Sequence, residues 1–334
     1  MAIGHGIMLH SMKAIQVYRP GGPEVLELTN LPKPSPGAGQ VLIKVEAVGL
    51  NFADILYVAG EYLVRTRYPM VPGMEFAGLV DEMGQGVEGL QVGQRVAALG
   101  GSGAFAEYAV VPTRSVLPVP PQFSAAEAAA FPVSYFTAYF ALHTQAQARP
   151  GEWVLIQAAA GALGTASIQI AKAMDLRVVA LASSEEKLTL CRNLGADVTL
   201  LNTQDNLVDA VKNATEGRGV DVLMEVVGGA GFAHSLGMLA YRGRLLVIGS
   251  ASREMAQIYP VGLMKGNQSV MGVWLTPFLS DPAEMQAATA FLIPLVASGQ
   301  IKPVVGERFK LEEAARAFAF VQSRKNTGKV ILEP

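Results

Sequence analysis

The fold is decided by the stretch Trp153-Val154-Leu155-Ile156-Gln157-Ala158-Ala159-Ala160-Gly161-Ala162-Leu163-Gly164. An apolar run typical of a buried strand leads into a turn of small residues. Ala159, Gly161 and Gly164 stand where a dinucleotide-binding turn needs small side chains. The first makes the tight turn, the second lets the backbone approach a pyrophosphate, and the third lets the following helix pack on the strand. The stretch therefore predicts a dinucleotide site.

The helix after this turn is predicted over residues 162–174. Its first residues, Ala162 and Leu163, would direct unpaired N–H groups and the positive end of the helix dipole at the phosphates. From about residue 133, apolar strand runs alternate with helix-length segments, which is typical of a parallel sheet. We predict strands at residues 153–157, 177–181, 197–201, 221–226, 244–248 and 269–274. Six such strands form a doubly wound sheet.

The N-terminal part, from residue 12 to about 132, has short β-branched runs between Pro and Gly, and predicts a β-rich, barrel-like domain. Residues 1–11 show no pattern and are left out of this prediction. Near the C-terminus, Asp281 and Pro282 predict the start of a helix that runs to Gly299 with a kink near Pro294. A further helix over 311–323 and a strand over 329–332 are expected to pack back on the first domain. The predicted boundaries are 12–132, completed by 275–334, for the first domain and 133–274 for the second.

The end of the second predicted strand, near Ala182, carries no carboxylate. Sites selective for NAD place Asp or Glu there to bind the ribose hydroxyls. Here Ser183 follows, with Lys187 one helical turn later, which favours a site for the 2′-phosphate of NADPH. A plainer alternative is that Ser183 caps the next helix, with capping-box spacing to Glu186, and that Lys187 is a solvated helix residue. The two interpretations can hold together, but the adjacent Glu185 and Glu186 would repel a phosphate.

Composition limits the classes of protein that the chain can represent. Of 334 residues, 51% are hydrophobic, and 26 Lys+Arg stand against 28 Asp+Glu, for a net charge of -2. The chain is expected to be a globular, soluble protein without the basic field that collects nucleic acid or anionic lipid. Its one cysteine, Cys191, lies in a predicted helix, and the four histidines are scattered. An intrachain disulfide or a cysteine-rich metal site is therefore excluded, and with no secretory signal pattern the cytoplasm is expected.

Several ordered motifs resemble those of one enzyme family, over nearly the whole of residues 12–334. They are Met12–Ile15, Gly21–Leu26, Gly49–Asp54, Pro72–Gly78, Ala158–Gly164 and Ser323–Lys329. The chain resembles the zinc-independent quinone oxidoreductase branch of the medium-chain dehydrogenase/reductase superfamily. This resemblance implies an α/β protein in which a GroES-like, β-rich catalytic domain carries an inserted Rossmann domain, with NADPH held in a cleft between them. It also implies a homodimer that pairs the last Rossmann strands, here residues 269–274.

The resemblance also implies chemistry without a metal. Zinc-containing relatives use a cysteine and a histidine of the first domain, and Met74 stands at the histidine position here. The expected reaction is hydride transfer to an acceptor that is already electrophilic, a quinone or an activated enone. One departure from the family is local, since the usual Gly-Gly-Val-Gly turn is Gly161-Ala162-Leu163-Gly164, which keeps both glycines.

By the same resemblance, Asn51 and Asp54 line the nicotinamide cleft, with Asn51 hydrogen-bonding near the nicotinamide ribose. Tyr62 matches a tyrosine that some enoyl reductases use to donate a proton or to steady an enolate. Each has a plainer alternative: Asn51 and Asp54 as turn or cap residues, and Tyr62 as a rim aromatic.

The resemblance implies four further cofactor contacts. Thr137 matches a threonine near the nicotinamide, and Lys187 and Arg324 match cations that hold the 2′-phosphate. The third phosphate contact, often a tyrosine, falls on Asn202. Arg324 has the alternative of a surface charge.

Two other functions stay open from the sequence. An enoyl-thioester or enone reductase would need cations for a pantetheine arm, and Arg65 and Arg67 near Tyr62 are candidates. A dinucleotide-binding protein with little turnover is the other, because no obvious catalytic acid stands out. Nothing in the sequence arranges Ser, His and Asp as a hydrolase does.

Overall fold

The computed structural model describes residues 11–100 and 103–334. The expectations for residues 1–10 lie outside this range. The described chain forms two compact units, one from the residues up to 132 together with 305–334, and one from 133–304.

The strands and helices are numbered along the chain. The strands are β1 (Ser11–Gln16), β2 (Glu27–Pro32), β3 (Gln40–Leu50), β4 (Glu75–Met83), β5 (Arg95–Leu99), β6 (Tyr108–Pro112), β7 (Val116–Pro118), β8 (Trp153–Ile156), β9 (Arg177–Ala182), β10 (Val198–Leu201), β11 (Val220–Glu225), β12 (Leu239–Val247), β13 (Ser269–Gly272), β14 (Val305–Lys310) and β15 (Lys329–Glu333). The helices are α1 (Phe52–Ala59), α2 (Ala125–Ala130), α3 (Pro132–Tyr139), α4 (Ala162–Ala173), α5 (Glu185–Asn193), α6 (Leu207–Ala214), α7 (Phe232–Gly237), α8 (Leu275–Leu279), α9 (Pro282–Ala297) and α10 (Ala314–Gln322). A π-helix, Phe140–Gln145, continues α3.

The first unit is built around the long strand β3. Its main sheet has the order β14-β15-β3-β4-β5-β7, β6 also pairs with β3, and β1 pairs with β2 in a separate hairpin. The last strand, β15, runs antiparallel to β3, with Ile331 opposite Gly49. Phe318 of α10 is fully buried. Its ring and that of Phe105 form an edge-to-face pair with 6.0 Å between the ring centroids. The expected return of the chain's end to this unit is therefore observed.

The second unit holds a parallel sheet of order β10-β9-β8-β11-β12-β13. All four residues of β8 are buried, because helices cover both faces of such a sheet. The chain runs from β8 outward through β9 and β10, then returns to the other side of β8 with β11. The strand order thus reverses between β8 and β11, the place at which doubly wound sheets bind ligands. The predicted fold class, a GroES-like β-rich domain with a Rossmann domain, is confirmed.

Residues 275–304 differ from the sequence expectation, which assigned them to the first domain. By compactness they belong to the second unit. The Phe278 ring stacks on Phe140 at 4.5 Å, and the Gln169 side chain bonds the backbone of Lys302 in both directions, at 2.7 and 3.1 Å. Aromatic and amide contacts of this kind are not visible in a hydropathy pattern.

The predicted start of α9 is observed. Asp281 caps this helix by accepting hydrogen bonds from the backbone N–H groups of Ala283 at 2.9 Å and Glu284 at 3.3 Å. Pro294 lies inside the helix, which ends at Ala297. Across residues 11–100 and 103–334, no helix is both long and apolar enough to cross a bilayer.

Candidate cofactor and active site

The turn after β8 is held tightly against the neighbouring strand. Ala159 donates its backbone N–H to Leu181 O of β9 at 2.9 Å, and Gly161 N donates to Ala158 O at 2.9 Å. Ala158 has φ +47°, an uncommon conformation for a residue with a side chain. Backbone hydrogen bonds within the protein therefore hold the turn in place.

The two glycines of this turn have different reasons to be glycine. A Cβ on Gly164 would lie 2.5 Å from the oxygen of Ala158 and 2.5 Å from backbone carbons of Ala159. A Cβ on Gly161 would meet only Ala158 O, at 3.3 Å. Packing of α4 on the turn thus requires Gly164, whereas a methyl group on Gly161 would have one close neighbour in the protein.

The N-terminus of α4 fits a diphosphate. The helix has 12 residues, its N-cap is Gly161, and its first turn, with Ala162 and Leu163, contains no acidic side chain. The first N–H groups of a helix have no partner inside it, and they lie at the positive end of its dipole. A main-chain anion site beside a residue without a side chain, here Gly161, is the arrangement that a dinucleotide pyrophosphate needs.

The end of β9 carries the residues expected at a 2′-phosphate. Ser183 is exposed. The alternative interpretation of Ser183 as the cap of α5 is wrong, because Ser184 is the N-cap and accepts a hydrogen bond from the Lys187 backbone N–H at 3.3 Å. Burial lowers the pKa of Lys187, and the nearby Glu186 raises it in part.

Asn202 lies beside this segment, because its backbone N–H donates to Ala182 O at 2.9 Å. Ser183, Lys187 and Asn202 therefore all follow the carboxyl ends of the neighbouring strands β9 and β10. Thr137, on α3 of the same unit, is only 8% exposed. Arg324 belongs to the other unit, after α10.

A buried polar cluster lies in the first unit where β3 leads into α1. Lys329 Nζ donates to Asn51 Oδ1 at 2.7 Å and also to Glu75 Oε1, and Asn51 Nδ2 donates to the same Glu75 oxygen at 2.9 Å. Glu75 and Lys329 are 0% and 1% exposed. Both ends of the Asn51 amide are thus fixed by a buried ion pair.

Asp54 completes the cluster from inside the protein. Its Oδ2 accepts a hydrogen bond from the Asn51 backbone N–H at 2.8 Å, and its Oδ1 has no hydrogen-bond partner. Burial raises the pKa of Asp54 to about 7, and the charge of Glu75 also raises it, against Lys329 and the bonds from Asn51. Asp54 is 0% exposed and holds Asn51 from the protein interior, and its expected place at the nicotinamide stays a prediction.

Glu75 and Lys329 were missed as site residues from the sequence, although both stand in quoted motifs. The available signal was a charged first residue directly before an apolar run, which is 76–80 in β4 and 330–332 in β15. Tyr62 lies in the loop after α1, half-buried, with its ring 6.1 Å from and edge-on to that of Tyr57.

Comparison with known proteins agrees with both units. Residues 37–121 match the alcohol dehydrogenase GroES-like domain, and residues 162–293 match the zinc-binding dehydrogenase domain. A quinone oxidoreductase from Rattus norvegicus is 36% identical over 96% of this chain and 97% of its own length. The quinone oxidoreductase of Thermus thermophilus, studied alone and with NADPH, is 46% identical, with a TM-score of 0.86 over 97% of this chain and all of that one.

The Escherichia coli quinone oxidoreductase, solved with NADPH, is 28% identical over 96% of this chain and all of that one, with a TM-score of 0.90. The chain belongs to the quinone oxidoreductase branch of the medium-chain dehydrogenase/reductase superfamily. Within the part of this family member that the structure describes, no group of three or more His, Cys, Asp or Glu side chains is placed to hold a metal ion.

Proposed function

We propose that the protein is an NADPH-dependent reductase that delivers a hydride to a quinone or an activated enone without a metal. The observation that carries this proposal is the turn at the N-terminus of α4, where Gly161, which has no side chain, stands beside the first main-chain N–H groups of the helix. The solved relatives from T. thermophilus and E. coli were crystallised with NADPH, which supports the same cofactor here.

The second unit would hold most of the cofactor. The pyrophosphate would contact the backbone of the turn residues Ala159, Gly161, Ala162, Leu163 and Gly164. The 2′-phosphate would contact Ser183, Lys187 and Asn202, an edge that bears no carboxylate at the end of β9. Arg324 would add a second cation and Thr137 a contact at the nicotinamide, as the family resemblance suggests.

When bound, NADPH supplies a hydride from C4 of its nicotinamide. The contribution of Asn51 is orientation: its Oδ1 already accepts from Lys329 and keeps a lone pair for a ribose hydroxyl. The hydroxyl of Tyr62, or water, would give a proton to the acceptor oxygen. A quinone thereby gains one hydride and one proton and becomes a hydroquinone, and the main gain in rate comes from holding the two reactants together.

The donor set argues against a catalytic zinc. Met74 offers a thioether, a poor zinc ligand, where zinc-containing relatives have a histidine. Cys191 lies in α5 of the second unit, buried, with its pKa raised to about 11 by that burial.

Steady-state oxidation of NADPH with three acceptors tests the proposal: a quinone, a simple enone and an enoyl-CoA. We expect the quinone or the enone to be reduced, at a rate that added chelator does not change. Turnover of the enoyl-CoA alone would favour the enoyl-thioester reductase, whose supporting feature is the exposed pair Arg65 and Arg67 beside Tyr62. NADPH binding with no turnover of any acceptor would favour a protein that only binds the dinucleotide.

A homodimer is part of the proposal. β13 ends the parallel sheet, so its outer edge has no neighbour within the sheet. The chain between β12 and β13 exposes apolar side chains, with Met255 90%, Tyr259 74% and Met264 71% exposed. An unpaired edge beside an apolar surface suits pairing with a second copy.

A further inference from the structure

Glu225 is a buried carboxylate in the middle of the parallel sheet. It is the last residue of β11 and is 1% exposed. Its Oε1 accepts the backbone N–H groups of Val227 and Gly228, each at 2.9 Å. Its Oε2 accepts Gln157 Nε2 at 2.9 Å and Ser235 Oγ at 2.5 Å. Four donors thus converge on a charge that burial would otherwise make costly.

These donors come from the two sides of the crevice at which the strand order reverses. Gln157 is the residue directly after β8 and leads into the cofactor turn at 158–161. Its side-chain oxygen accepts the backbone N–H of Val226 at 3.2 Å. β8 and β11 are neighbouring strands, with Met224 opposite Ile156. The hydrogen bond from Gln157 to Glu225 therefore links the carboxyl ends of these two strands.

The loop 226–229 is also fixed on its far side. Val226 O accepts from Ala251 N at 3.0 Å, and Val227 O accepts from Ser252 N at 2.8 Å. Gly228 has φ +72°, and a Cβ there would lie 2.8 Å from the hydroxyl of Ser250. Hydrogen bonds therefore hold this loop on both sides, and the Glu225 carboxylate accepts two of them from the backbone N–H groups of the loop.

The position of this loop relates it to one half of the cofactor. The adenosine ribose is expected at the end of β9, and the pyrophosphate at α4, above β8. β11 lies on the opposite side of β8 from β9. A dinucleotide that crosses the crevice must therefore place its nicotinamide half on the side of the 226–229 loop.

We infer that Glu225 is a positioning residue for the nicotinamide half of NADPH, acting through the 226–229 loop and supported by Gln157 and Ser235. The inference rests on the proposed function for the cofactor itself. It assigns a role to the buried Glu225 carboxylate. Packing alone does not require a carboxylate at this position, because an apolar side chain of similar size would fill the space without burying a charge.

The test separates the two halves of the cofactor by calorimetric titration with NADPH and with adenosine 2′,5′-bisphosphate. Ser235→Ala removes one donor to Glu225 and is the main variant, and Glu225→Gln is the stronger one. Thr215→Val is the matched control, because the Thr215 hydroxyl is equally buried and bonds Val211 O at 2.8 Å and Gly219 N at 3.0 Å, at the opposite end of β11.

We expect Ser235→Ala to bind NADPH about fivefold more weakly or worse, and adenosine 2′,5′-bisphosphate within about twofold of the wild type. The control should bind both ligands as the wild type does. If folded Ser235→Ala loses affinity for both ligands equally, or for neither, the inference is overturned. Failure of the wild type to bind NADPH overturns the proposed function instead, and this inference with it. Should Glu225→Gln not fold, Ser235→Ala decides alone.

Discussion

The candidate site contains buried charged side chains that pair with other side chains of the protein. Lys329 and Glu75 form an ion pair with almost no exposed surface, and the Asn51 amide bridges them. A buried pair of this kind is weak evidence for stability, since apolar residues often serve as well. Its value here is orientation, because it fixes which end of the Asn51 amide carries the oxygen.

Lys329→Met should strongly destabilise the protein. The change removes the cation beside Glu75 while leaving that carboxylate buried, and the loss of one partner of a buried pair costs about 3 to 5 kcal/mol. Denaturant unfolding measures this loss. Adding Glu75→Gln to Lys329→Met should recover part of the stability, and a double variant no more stable than the single one would contradict the ion pair.

Asp54 should make stability depend on pH. Its pKa is raised by burial, so the folded state holds a proton that the unfolded chain releases. The stabilisation from this proton is fully present below about pH 4 and is lost as the pH rises to about 7. The isosteric Asp54→Asn variant does not titrate, so it should gain about 2 kcal/mol on the wild type between pH 5 and pH 8.

Thermal unfolding of both proteins at several pH values measures this difference. A difference that stays constant with pH, or falls as the pH rises, would show that Asp54 is ionised throughout.

How far the sequence predicts these residues depends on distance along the chain. Asn51 and Asp54 were found because they stand three residues apart in one motif. Lys329 joins them from 278 residues away. No local pattern reports that contact, which arises only when β15 pairs with β3.

At the scale of elements, the β8 turn and α4 were the most predictable part, because small residues between a strand and a helix leave few alternatives. Residues 275–304 were assigned to the first domain, but they pack with the second unit. The aromatic contacts that hold them there produce no periodic pattern in the sequence. The cap of α5 was displaced by one residue, since Ser183 and Ser184 are equally good caps by type.

Gly164→Ala should destabilise the second unit. The added Cβ would meet backbone atoms at 2.5 Å, so α4 must move away from β8, at a cost of about 1 to 3 kcal/mol. Gly237→Ala is the matched control, because its Cβ would meet only Val208 methyls at 3.6 and 3.7 Å. Equal midpoints for the two variants in thermal unfolding would contradict the close packing of α4.

At the scale of the whole molecule, the proposed dimer depends on the free edge of β13. Val273 N donates to Val247 of β12 at 2.9 Å, so the N–H of Gly272 points to the outer edge by alternation. Gly272→Pro removes that donor and should give a monomer of 35.2 kDa by light scattering. Gly272→Ala, whose Cβ would meet nothing within 4 Å, should keep the mass of two chains. An unchanged mass for the proline variant would place the interface elsewhere.

The cofactor turn carries the central claim, and Gly161→Ala tests it most directly. Gly161 has φ -77° and ψ 178°, which alanine adopts freely, and its Cβ would meet only Ala158 O at 3.3 Å. The melting temperature should therefore fall by no more than a few degrees, because the methyl group is close to a single oxygen and alanine is a weaker N-cap than glycine. A bound pyrophosphate, in contrast, would collide with the new methyl group.

The decisive measurement is the affinity for NADPH of the wild type, Gly161→Ala and Gly237→Ala, by fluorescence titration. We predict that the wild type and the Gly237→Ala control bind alike, and that Gly161→Ala binds about tenfold more weakly or worse while its melting temperature falls by no more than a few degrees. Equal affinity in all three proteins, or no binding by the wild type, would contradict the account.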